Sequence, residues 1–172
     1  MAMVLGVLLA MTLTSPSFKA GGAIPSNHTC QGKDVSPALA WTEVPAGAKT
    51  LALVVDDPDA PDPAAPKTTW VHWVVFDIPA TATGLPEGGG GSLPAGTRVG
   101  KNDWGRAVWN GPCPPVGRHR YFFKLYALDV SLPKDFVATK ADLEKAMRGH
   151  VIGEAQLVGT YAKAPRSAES AR

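Results

Sequence analysis

The chain has very little cysteine: Cys30 and Cys113 are the only two. One pair cannot make the multi-bridge framework of a small secreted domain, nor a four-ligand zinc site from thiolates alone. Two readings stay open, a single bridge in an exported protein or two reduced thiols in a cytoplasm. Charge of one sign is also lacking. Seventeen Lys and Arg oppose fifteen Asp and Glu, for a formal net charge of +2. The basic residues are scattered and no basic helix occurs, so the footprint of a nucleic-acid binder is missing. No apolar run reaches the ~20 residues of a membrane-spanning helix. Met3 to Ala10 (MVLGVLLA) has the length of a signal-peptide core, yet no basic segment precedes it and no A-x-A site follows. It reads as a truncated signal peptide, implying a periplasmic or secreted protein, or as an apolar first strand of a cytoplasmic one.

What is abundant is punctuation. Eighteen glycines and sixteen prolines lie between short apolar runs, a pattern that favours a mainly β fold over a helical bundle. The length suits one domain, predicted over residues 11–162, with a leader at 1–10 and a flexible tail at 163–172. Thr12 to Phe18 is a candidate first strand, and Leu39-Ala40-Trp41 is a short second stretch. Leu51 to Val55 (LALVV) reads as a fully buried central strand that Pro58 should end. Trp70 to Asp77 (WVHWVVFD) is a second central strand. Alternation assigns Trp70, His72, Val74 and Phe76 to one face and Val71, Trp73 and Val75 to the other. Pro79 to Val116 is a long irregular stretch, with an exposed face that offers a homodimer contact. Arg120 to Leu128 and Glu154 to Ala162 complete the strands. Lys140 to Arg148 is the one helix, with Thr139 as N-cap, Asp142 in a capping box and Gly149 at C′.

Three polar residues fall where the pattern demands core or a strand junction: Asp57 at the end of the first central strand, His72 within the second, and His119 at the start of the third. Each alone has a structural reading. Asp57 is a turn former, His72 a hydrogen-bonded core histidine, and His119 part of a solvated basic loop. Their placement in core strands able to neighbour one another favours a shared pocket.

Asp56-Asp57-Pro58-Asp59-Ala60-Pro61, Trp70-Val71-His72-Trp73, and Gly111-Pro112-Cys113-Pro114-Pro115 leading to Gly117-Arg118-His119-Arg120-Tyr121 carry a resemblance. Together with Thr29-Cys30, Asp34-Val35-Ser36-Pro37 and Leu157-Val158-Gly159-Thr160-Tyr161, they are similar to the phosphatidylethanolamine-binding protein family. The likeness is to its bacterial and archaeal Raf-kinase-inhibitor-like branch, from about Ser15 to Ala162. It implies a two-sheet β-sandwich with one short helix near the C-terminus and an anion pocket at one end, taking phosphate or phospholipid head groups. It also implies ligand-binding roles for Asp57, Trp70, His72, His119 and Tyr121, with Gly111, Pro112 and Cys113 as a wall. Mammalian members use a C-terminal helical tail that finds no match here, so their lipid selectivity and kinase-inhibitory surface are not carried over.

The residue types suit that chemistry. Imidazole and backbone N–H groups and the Tyr121 hydroxyl are donors for an anion. Asp57 is out of place beside an anion unless it orients and protonates a histidine, or is itself protonated. The resulting expectation is a non-catalytic module without cofactor that binds a small anionic ligand and acts on a kinase or protease target. The alternative is a metal-dependent enzyme using His72, His119 and Asp57 as a facial triad. Against it, no H-x-H or H-E-x-x-H spacing occurs. A serine hydrolase lacks its G-x-S-x-G elbow, and no Lys-Ser/Thr follows Gly88 to Gly91 to make a phosphate loop.

Overall fold

The structure, a computed structural model, describes residues 10–136 and 138–165. The leader apart from Ala10, and the tail beyond residue 165, lie outside the described residues. In chain order the strands are β1 (Thr12–Thr14), β2 (Leu39–Thr42), β3 (Thr50–Ala60), β4 (Thr68–Pro79), β5 (Gly84–Leu85), β6 (Arg98–Val99), β7 (His119–Leu128) and β8 (Val151–Tyr161). One helix, α1 (Lys140–Met147), precedes β8. A three-stranded sheet runs β1-β2-β5 and a five-stranded sheet β6-β4-β3-β7-β8. The named strand pairs are all antiparallel. This is the expected mainly β, two-sheet arrangement.

Alternation sets two cores. Leu51, Leu53 and Val55 of β3, Phe123 and Leu125 of β7, and Trp73 and Val75 of β4 meet Leu13, Leu39, Trp41 and Leu85 of the small sheet. On the other side of the large sheet, Ala52, Val54, Val74 and Phe76 pack with Leu143 and Met147 of α1. The helix has the expected capping box, Thr139 and Asp142 bonding reciprocally, and Gly149 follows at φ 82°.

Four expectations need correction. β1 stops at Thr14 rather than Phe18, because the Ser15 hydroxyl accepts from Ser17 N and Pro16 has no N–H to donate. β3 runs through Pro58 to Ala60. Pairing with β7 ends at Asp56, and the β4 register shifts between Asp57 and Ala60, so proline sits at an irregularity and breaks no ladder bond. β8 begins at Val151, three residues before Glu154.

The fourth concerns β4. Val55 pairs with Trp73 and Asp56 with Val71, which leaves His72 as an extra residue, a bulge. The strict alternation therefore breaks at His72. Val71 joins Val74 and Phe76 on the helix side, while Trp73 and Val75 face the other sheet.

Candidate functional site

Where β3 ends and β4 and β7 begin, the core between the sheets gives way to a cavity of about 360 Å³. Asp57, Trp70, His72, Cys113, His119 and Tyr121 line it, so six of the eight sequence candidates come together. Gly111 and Pro112 do not line it. They lie behind the wall, where Gly111 N donates to Asp34 Oδ1 and Pro112 O accepts from Cys30 N. A Cβ on Gly111 would run into the His28 carbonyl oxygen, so only glycine allows this close approach. Ala60, Pro61, Thr68, Trp104, Pro114 and Pro115 complete the lining.

Asp57 and His119 satisfy each other. His119 Nδ1 is 2.7 Å from Asp57 Oδ2, and both side chains are almost wholly buried. The other carboxylate oxygen accepts from Asp59 N at 2.8 Å. His119 Nε2 is 3.0 Å from Val116 O, which can only accept, so this nitrogen carries a proton. The Nδ1···Oδ2 contact then needs a second proton, on whichever atom it resides. His119 therefore has no free N–H for a ligand, contrary to its expected role as an anion donor.

His72 is different. Its Nδ1 donates to Asn110 O at 2.6 Å, leaving Nε2 with no partner among the described residues. Burial pushes the ring's pKa below the usual histidine value, against the smaller opposing pulls of the Asn110 carbonyl and the Asp57 charge. At neutral pH, Nε2 is thus an acceptor that becomes a donor on protonation.

The Tyr121 hydroxyl is buried with no hydrogen-bond partner among the described residues. Burial, with the charges of Asp57 and Asp59, raises its pKa, so it remains a protonated donor. The Tyr121 ring packs edge-on against His72 at 5.2 Å. Nearby, Asp59 is clamped by the Arg120 guanidinium through two side-chain bonds. That contact holds the carboxyl below the usual range and fixes the start of β7.

Cys30 and Cys113 are joined by a disulfide, with Cα atoms 5.4 Å apart. The bridge ties the Cys113-Pro114-Pro115 wall to the 26–32 loop. Sequence reasoning missed Trp104, which is 42% exposed and stacks edge-on to Trp70 and His72. It also missed Asn102 and Asn110, which hold the loop carrying it. The polar run Asn102-Asp103 before Trp104-Gly105 was an available turn signal. The facial triad finds no support: His119 has both nitrogens engaged, and among the described residues no three His, Cys, Asp or Glu converge as metal ligands. No helix among them is long and apolar enough to cross a membrane.

Comparison with known proteins agrees with this architecture. Residues 14–162 match the family described as phosphatidylethanolamine-binding protein. A UPF0098 protein of Methanothermobacter thermautotrophicus is 50% identical over 153 residues, 88% of this chain and 98% of that one. The crystal structure of a phosphatidylethanolamine-binding protein homologue from Chlamydia trachomatis superposes with a TM-score of 0.83 at 41% identity, covering 90% of this chain and 99% of that one. Escherichia coli YbcL, described as a new member of the mammalian family, gives 0.81 at 34% identity, over 91% of this chain and 100% of its own. The sandwich, the β3–β4–β7 junction and these matches lead to one conclusion: the chain belongs to the phosphatidylethanolamine-binding protein family.

Proposed function

We propose that the protein is a non-catalytic binding protein whose cavity holds a small anionic group, phosphate or a phosphorylated head group. The observation that carries this reading is a pair of polar atoms, unpartnered among the described residues, on two side chains that line the cavity and pack edge to face, the Tyr121 hydroxyl and His72 Nε2. A buried donor without a partner costs about 1–3 kcal/mol, which a ligand oxygen would recover. The cavity volume falls within the range of small-ligand sites, roughly 300–1,000 Å³. His72 supplies the charge by taking up a proton with the anion. The neutral Asp57–His119 unit closes the floor and keeps the aspartate from repelling the ligand. Family membership supports a binding role. A regulatory role towards a kinase or protease draws on the family resemblance and on the exposed apolar residues Trp104 and Val116 beside the cavity. The disulfide supports an exported, oxidising setting.

Calorimetry with phosphoethanolamine and inorganic phosphate tests the reading. Saturable binding at one site, weakened by His72→Ala and by Tyr121→Phe, is expected. Equal binding by these variants and the parent would move the ligand elsewhere. A full equivalent of zinc or iron by elemental analysis would revive the enzymatic alternative.

A further inference from the structure

The loop between β6 and β7 is built around one side chain. Asn102 is 4% exposed. Its Oδ1 accepts from Trp104 N at 3.0 Å and Arg106 N at 3.1 Å, which shapes the turn presenting the Trp104 ring. Its Nδ2 donates to Val108 O at 3.0 Å and Asn110 Oδ1 at 2.9 Å, with His72 O at 3.4 Å. Asn110 in turn grips His72 from two directions, since Asn110 N donates to His72 O and Asn110 O accepts from His72 Nδ1. Asp103 secures the same loop to β4, its N donating to Val71 O and its Oδ2 accepting from Val71 N. β6 pairs with β4 only at Val75 and Phe76, so around His72 this loop stands where a neighbouring strand would otherwise be.

We propose that Asn102 is the positioning residue of the cavity, its single buried amide setting the His72 ring and the Trp104 wall together. No other residue type provides this combination at that size. The oxygen end serves the Trp104 turn and the nitrogen end serves the His72–Asn110 clasp. Asp103 and Asn110 alone would fix either the loop or the ring, without linking the two. The inference rests on the binding reading for its consequence, but its geometry is testable without any ligand.

The isosteric Asn102→Asp separates the two ends. It keeps an acceptor for Trp104 N and Arg106 N, and replaces the donor by an oxygen facing three other oxygens. Asn102→Ala removes both ends. Long-range proton–nitrogen NMR of the histidine rings reports the result. In the parent, His72 is expected as the Nδ1–H tautomer at pH 7, titrating below the ordinary histidine range. Either variant is expected to mix the tautomers and move the titration upward as water reaches the ring. The charges of Asp34 and Asp56 favour the same direction. The His119 signals should stay fixed, because Asp57 and Val116 hold that ring; movement of both rings would signify general loosening and overturn a specific role. Trp104→Ala is expected to leave the His72 tautomer as in the parent. Phosphoethanolamine affinity should drop at least about fivefold in both Asn102 variants, the loss of roughly one hydrogen bond's net contribution. A folded Asn102→Asp with unaltered His72 tautomer and titration would overturn the proposal. A parent that binds no phosphoethanolamine would overturn the functional reading alone, since the ring measurement still decides Asn102. Should neither variant fold, side-chain amide exchange of Asn102 in the parent protein decides: slow exchange supports the clasp and fast exchange rejects it.

Discussion

His119 and Asp57 lie 2.7 Å apart at the floor of the cavity, and every polar atom of the two side chains has a partner within the protein. The pair is a closed unit with no net charge, whether written as imidazolium and carboxylate or as two neutral groups. Breaking it leaves an uncompensated buried group. Asp57→Ala is expected to cost about 3–5 kcal/mol of unfolding free energy, and Asp57→Asn about half of that, measured by urea denaturation. A cost below about 1 kcal/mol for Asp57→Ala would show that the pair is not closed in solution.

Tyr121 should behave in the opposite way. Because its hydroxyl is buried and unpaired, Tyr121→Phe is expected to leave stability unchanged or raise it by up to about 1 kcal/mol. The same change should weaken anion binding roughly three- to tenfold, the net value of one hydrogen bond. Thermal melting and calorimetry on one variant give both numbers. Loss of stability with intact binding would assign the hydroxyl to the fold.

The pH dependence follows from His72. Burial holds its pKa in the free protein below the usual histidine value, and a bound anion raises it. Between those two values each binding event takes up a proton, so affinity falls as pH rises, by at most about tenfold per unit. Above the bound-state pKa and below the free-state pKa the affinity is level. Calorimetry in buffers of different ionisation enthalpy should detect the proton. The unliganded fold responds with the reverse sign. A depressed histidine pKa stabilises the fold above the unfolded value, and that contribution is lost as pH falls through the folded value.

The Cys30–Cys113 bridge closes a sequence separation of 83 residues. Chain entropy alone assigns such a crosslink about 4–5 kcal/mol, of which native disulfides deliver roughly 2–5. The Cys30→Ala/Cys113→Ala double variant should melt roughly 4–20 °C lower. Its anion affinity should also fall, because the Pro114-Pro115 wall loses its anchor. Unchanged affinity at a temperature where the variant is folded would show that the wall stands without the bridge.

The strand cores were readable because period-two alternation is a strong signal in runs such as Leu51 to Val55. The helix was readable from its Thr139–Asp142 cap. Six cavity residues were reached through short motifs, while the extension of β3 past Pro58 was missed. Proline excludes a paired ladder position, and the sequence does not reveal where β7 stops pairing. Trp104, Asn102 and Asn110 stayed hidden for a related reason. They act through the Asn102 side-chain amide, the Trp104 ring and the Asn110 backbone, all on a loop that has no periodicity to read.

The bulge at His72 has a consequence for chain length. Deleting that one residue would place Val71 next to Trp73, and the Asp56–Val71 and Val55–Trp73 pairs would then follow one another without interruption. The ladder has no need of the residue, and without it the cavity loses the imidazole that, among the described residues, keeps a free ring nitrogen. A single codon deletion would thus separate the two inheritances of the strand, leaving a sheet that assembles and a site that is absent.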